Sequence, residues 1–150
     1  MNLPFVAGYP YFPQALRSAP QALDQAERFH LLLKNGALHE VRGAIADRPE
    51  LLAELLPIVG NPEAAMNVRL GASVIFEEHA GGPALRAVLP QLGRLSAHAD
   101  ARVRADACFY LGLAADDAAR AYLLPRLQDA DAEVREIAAD ALAGLGASAE

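Results

Sequence analysis

The dipeptide Val-Arg occurs four times, at 41–42, 68–69, 103–104 and 134–135, with spacings of 27, 35 and 31 residues. A second mark, Leu-Pro at 56–57, 89–90 and 124–125, recurs out of phase with it at spacings of 33 and 35. A period of roughly 20–50 residues signals one supersecondary unit copied along the chain, each copy burying its apolar face against its neighbours. Composition chooses the kind of unit. Alanine supplies 33 of the 150 residues and leucine 23, whereas valine and isoleucine together supply 12, and threonine and tryptophan are absent. That excess of strong helix formers predicts helices and argues against a β-sandwich or barrel. With 53% hydrophobic residues the chain can bury a sizeable core, and general disorder is excluded.

Turn-forming residues cut the sequence into about eight helices, expected at 20–34, 37–47, 49–59, 63–80, 83–95, 101–115, 117–128 and 132–146. Glycine and asparagine at Asn35-Gly36, Gly60–Pro62 and Gly81–Pro83 suit helix C-terminal ends. The aspartates of Ser96–Asp100, Asp116-Asp117 and Asp129–Asp131 suit N-caps. Each unit thus reads as a helix with an internal proline, a turn, and a helix that opens with Val-Arg. Prolines 57, 90 and 125 each remove one backbone hydrogen bond and bend the first helix of a unit around the second.

Residues 1–19 read differently from 20–150, which form the repeat domain. Phe5, Tyr9, Tyr11 and Phe12, four of the nine aromatics in the chain, stand among Pro4, Pro10 and Pro13, with Pro20 just beyond. Proline fixes φ and lacks an amide donor, so the expectation here is an extended arm rather than a helix. Its rings have three places to go: over the first helices, over the face described below, or onto a partner or a second copy.

The net charge of −6 argues against nucleic acid or an anionic membrane as the main partner. One cysteine, Cys108, excludes an internal disulfide framework and a cysteine-based zinc site built by itself. The N-terminus has no basic n-region and too short an apolar run for a signal peptide, and no apolar stretch is long enough for a membrane span. A cytoplasmic location is the expectation.

Residues 117–146, DAARAYLLPRLQDADAEVREIAADALAGLG, resemble a HEAT repeat of the short type also found in phycobilisome-lyase-like proteins. The marks are a proline in the first helix, an Asp-rich turn, then V-R-x-x-A-x-x-A-L. Residues 83–115 carry Val103, Arg104, Ala107 and Leu111 in those positions. Residues 49–80 carry Val68, Arg69 and Ala72 without the turn aspartates, and 20–48 carry Val41 and Arg42 only. The resemblance implies an all-α, right-handed α-solenoid of about four HEAT-like antiparallel helix pairs, armadillo-like in outline, behind the N-terminal arm. It also implies that the arginine of each pair bonds turn aspartates in a ladder between units, as Arg104 and Arg135 could with Asp100, Asp129 and Asp131. Arg42 and Arg69 lack such aspartates and are expected to be freer to face a partner.

Counted at about 100° per residue, Val134, Ala138, Ala141, Leu142 and Leu145 share one face, and Ala72, Ala107 and Ala138 fill the same central column. Positions +2, +5, +6 and +9 from each valine point away from it. These are Leu70, Ser73, Val74 and Glu77, then Ala105, Cys108, Phe109 and Gly112, then Glu136, Ala139, Asp140 and Ala143. The resemblance places them on a concave side. Apolar Leu70, Val74 and Phe109 edged by Glu77, Glu78, Asp106, Glu136 and Asp140 read as a groove that binds a protein or peptide segment. Leu70, Val74 and Phe109 would supply affinity, and Glu77 and Arg104 orientation. The expected function is a protein–protein interaction module without enzymatic activity: a scaffold, assembly factor or maturation chaperone.

Chemistry is sparse. His39-Glu40 and Glu78-His79 evoke the His-Glu pairs of HEAT-containing deoxyhypusine hydroxylases, which hold two irons. One pair here is reversed, and adjacent helical residues diverge by about 100°, so neither metal nor cofactor is expected. Cys108, one turn from Arg104 and in the outward column, is a candidate reactive thiol, because an adjacent cation lowers a thiol pKa. The alternative function, implied by the likeness to phycobilin lyase repeats, is a tetrapyrrole- or metal-handling enzyme such as a bilin lyase.

Overall fold

The computed structural model describes residues 23–148; the arm expected at 1–19 and the first residues of the helix expected at 20–34 lie outside them. Helix α1 (Gln25–Lys34) and α2 (Leu38–Asp47) form the first hairpin. A 3₁₀ segment, Pro49–Leu55, runs into α3 (Leu56–Val59), and α4 (Met66–Glu78) follows. The next pair is α5 (Pro83–Arg86) and α6 (Leu89–Leu95), then α7 (Ala101–Leu113). The last comprises the 3₁₀ turn Asp117–Ala119, α8 (Arg120–Leu123), the 3₁₀ stretch Leu124–Gln128, and α9 (Ala132–Ser148). The described residues contain no strand, and the stacked helical units make an α-solenoid.

The prolines break the first helix of each unit into segments rather than merely bending it. Pro57, Pro90 and Pro125 lie in the first turns of α3, α6 and the Leu124–Gln128 stretch. A residue without an amide cannot continue the i→i−4 ladder, so a new segment starts where its missing donor costs nothing. The Val-Arg helices have no proline and run unbroken. Asp100 caps α7 by accepting from the amides of Arg102 and Val103, and Asp131 accepts from those of Glu133 and Val134. Gly36 and Gly81 take positive φ at the ends of α1 and α4. Ala115 does so after α7 at φ 54°, without glycine's freedom.

The repeat register holds. Val41, Val68, Val103 and Val134 are all buried, as are Ala72, Ala107 and Ala138. Full burial of each valine contributes about 1.5 kcal/mol or more, and the alanines let neighbours close in. The spacing between inner helices is uneven because the residues between them differ in size. A Cβ added at Gly112 would lie 2.8 Å from that of Ala141, so α7 and α9 approach closely along their length. Between α4 and α7 stand Phe76 and Tyr110, stacked with ring centroids 4.4 Å apart, and these helices touch mainly through side chains.

The first hairpin does not set its Val-Arg helix against that of the next unit. Helix α1, not α2, makes the main contact with α4: Leu33 rests on Gly71, and the Asn67 amide donates to the Lys34 carbonyl at 3.1 Å. Helix α2 packs on α1 and on Pro49–Leu55. The glycine at 71 leaves a gap that a leucine from α1 fills, and this fit draws α1 into the inner layer.

Candidate functional site

Helices α4, α7 and α9 lie side by side, and their common surface carries most of the large apolar side chains exposed among the described residues. Met66, Leu70 and Val74 form one row along α4 at i, i+4 and i+8. Met66 is 63% exposed and Leu70 58%, and Phe109 on α7 is 40% exposed. Of the large apolar side chains exposed among the described residues, only Leu124 lies elsewhere. A groove of about 190 Å³ separates Leu70 and Ser73 from Phe109 and Ile137, floored by Ala105 and Tyr110. A second, of about 270 Å³, runs between Phe109, Gly112 and Leu113 of α7 and Ile137, Asp140 and Gly144 of α9. Phe109 is therefore a ridge between two channels.

Its ring is supported from below. Phe109 leans on Tyr110 with centroids 5.6 Å apart, and Tyr110 stacks on Phe76. Burial pushes the Tyr110 phenol up to about 12, against the Ser73 hydroxyl beside it, so it stays neutral. A ring propped by a buried aromatic stack loses little freedom when something covers it.

Two residues expected in the outward column are inside. Ala105 is buried and Cys108 is fully buried, at 0% exposure. Stepping from Val103 assumes a helix covered on one side, whereas α7 is covered by α4, α6 and α9, which leaves only the Phe109 ridge exposed. Burial pushes the Cys108 thiol up to about 11, and the cations of Arg126 and Arg104 offset this only in part. Cys108 is a protonated packing residue rather than a reactive thiol. Glu77, by contrast, is exposed on the rim beside Val74 as expected.

Arg104 is also unavailable to orient a partner. Its Nε and Nη2 donate to the two carboxylate oxygens of Asp129 at 2.9 Å each, and Nη1 donates to the carbonyls of His98 and Ala99. Arg135 makes the same backward reach, to the carbonyls of Asp129 and Ala130. Asp100 and Asp131 are caps and not rungs of the ladder. The role of Asp129 in its turn, accepting from the amide two residues on, is taken one unit earlier by His98, whose Nδ1 accepts from the Asp100 amide.

With a histidine in that place, Arg69 finds an acid elsewhere, and so does Arg42 one unit earlier. Arg69 pairs with Asp106 at 2.9 Å, and Arg42 with Glu78 at 2.8 Å. Both were expected to be freer, and both are engaged: Asp106 lies in the body of α7 and Glu78 is the last residue of α4, so neither partner is an aspartate of the turn that follows the arginine. The pairing neutralises Asp106 and Glu78. Glu77, Glu136 and Asp140 remain exposed with no ion pair among the described residues.

Sequence reasoning missed Met66, Ile137 and Tyr110. Met66 was within reach, since it precedes Leu70 by one helical turn in the same row. The larger hollow of about 550 Å³ between α1 and α3 opens beside Leu23, and its acids Asp24 and Glu27 are the cap and first turn of α1. Among the described residues no three His, Cys, Asp or Glu side chains gather to hold a metal ion, and no helix is long and apolar enough to cross a membrane.

Residues 88–150 match the family model described as HEAT repeats. That segment is built of HEAT repeats. No curated protein matches the chain. The matched HEAT segment begins at the start of α6 and takes in α7 and α9, the two helices that form the second groove, whereas the first groove also takes in α4. The same valine and alanine columns continue back into α4, outside the match. HEAT repeats generally mediate protein–protein interaction.

Proposed function

We propose that this chain is an interaction module without catalysis of its own, a scaffold, assembly factor or maturation chaperone of the cytoplasm that grips a polypeptide on the concave side formed by α4, α7 and α9. The observation that carries the reading is the concentration of exposed apolar side chains there: Met66, Leu70, Val74 and Phe109 are four of the five large apolar side chains exposed among the described residues, and they share one surface. Such a patch rimmed by polar residues marks an interaction site, and an aromatic ridge between channels is the shape of an anchor.

The test is retention of polypeptides from an extract of the native host by the immobilised full chain and by its Phe109→Ala variant, read by mass spectrometry. The expected result is a polypeptide held by the first and weakened by about tenfold or more with the second. Equal retention by both would move the site to another surface. Copurified colour, or one equivalent of metal per chain, would favour the tetrapyrrole- or metal-handling alternative.

A further inference from the structure

We infer that the segment seated on this face is basic and amphipathic, with an apolar edge against Leu70, Val74 and Phe109 and lysine or arginine on its flanks. The inference rests on the binding role proposed above and names the chemistry of the occupant. It comes from the distribution of charge that the arginine pairs leave behind. Arg42, Arg69 and Arg104 are each held by an acid of a later unit, and Arg135 turns back to the carbonyls of its own turn. None of these four is free to balance the remaining acids.

Those acids stand on both sides of the Phe109 ridge. Glu77 lies one turn beyond Val74 on α4, and Glu136 and Asp140 make an i, i+4 pair on α9, with Asp140 lining the second groove. Like charges at that spacing destabilise an exposed helix, and a lysine or arginine at either position would relieve them. Acids flanking an apolar ridge complement a segment with cations flanking an apolar edge, and such complementarity fixes register and speeds encounter.

Other occupants match less well. Two copies joined through this face would bring Glu77, Glu136 and Asp140 of each toward the same acids of the other, in a chain whose net charge is already −6. Residues 1–19 bring four aromatic rings and a single side-chain cation, Arg17, against three acids.

The experiment is fluorescence anisotropy of the full chain with three labelled helical peptides of equal length. All share one Leu/Phe face, and they carry Lys, Gln or Glu elsewhere. The Lys peptide is expected to bind at least about tenfold tighter than the Gln peptide, to weaken as salt rises from about 0.05 to about 0.5 M, and to lose this advantage in the Glu136→Gln/Asp140→Asn variant. Phe109→Ala is expected to weaken it too. Equal binding of the Lys and Gln peptides, both lost with Phe109→Ala, overturns the basic occupant and leaves the polypeptide-binding face standing. Binding indifferent to Phe109→Ala overturns both. A full chain that binds none of the three overturns the inference as well. A dimer that Phe109→Ala dissociates would then give the face to a second copy, and crosslinks from residues 1–19 to α7 would give it to the arm.

Discussion

Arg104 and Asp129 face each other fork to fork across 25 residues of sequence, with two parallel hydrogen bonds of 2.9 Å. Asp129 also accepts from Arg126 at 2.9 Å and from the amide of Asp131 at 3.0 Å, and its side chain is only 2% exposed. One carboxylate thus ties α7 to the turn that launches α9, and so holds together the two helices that flank the second groove.

The tie makes stability depend on pH. Chiefly the Arg104 hydrogen bonds, helped by the Asp131 amide and against the opposing effect of burial, hold the Asp129 carboxyl down at about 2, below its ordinary 3.8. A carboxyl lowered on folding stabilises above its unfolded pKa, and that stability is lost as pH falls from about 4 through about 2. Discounted for solvent on the Arg104 side, the contribution is about 1–2 kcal/mol. Urea unfolding across this range should show the loss in the parent chain and a flatter profile in Asp129→Asn. Parallel profiles for the two would remove Asp129 from the role.

Small residues set the close approach of α7 to its neighbours. Gly112→Ala places a methyl against Ala141, and Ala107→Leu fills a fully buried site in the central column. Each substitution should destabilise by about 1–3 kcal/mol through overpacking. Denaturation midpoints measure this, and a neutral Ala107→Leu would show that the column is misplaced.

The strained position after α7 gives a change of opposite sign. Ala115 at φ 54° bears a steric cost that glycine does not. Ala115→Gly should stabilise by about 0.5–1 kcal/mol, which raises Tm by roughly 1–4 °C in a chain of this size. A lowered Tm would contradict the left-handed conformation.

Cys108, buried with its thiol at about 11, should resist thiol reagents in the native state. Labelling near neutral pH is expected to run at least about a hundredfold slower than in denaturant, since both thiolate and access are lacking. Rapid native labelling would place the sulfur at the surface.

Much of the fold was legible because it depends on local chemistry. Gly36, Gly81, Asp100 and Asp131 end or cap helices through their own backbone and side chains, and the valine and alanine columns repeat at a helical step. What escaped depends on neighbours. The inward turn of Ala105 and Cys108 follows from α7 being covered on three sides, which no single helix reveals. The partners of Arg42 and Arg69 lie 36 and 37 residues away, in helices rather than turns. The displacement of α1 onto α4 follows from one leucine meeting one glycine. Leu70, Val74, Glu77 and Phe109 were legible as an outward group because each points away from the buried valine of its own helix.

The most direct measurement on the proposed binding face compares the affinity of the captured polypeptide for the parent chain and for Phe109→Ala, with helix content and melting of the two matched by circular dichroism. A Kd raised about tenfold or more at unchanged folding is the expected result for an aromatic anchor. An unchanged Kd would contradict the claim that α4, α7 and α9 hold the partner.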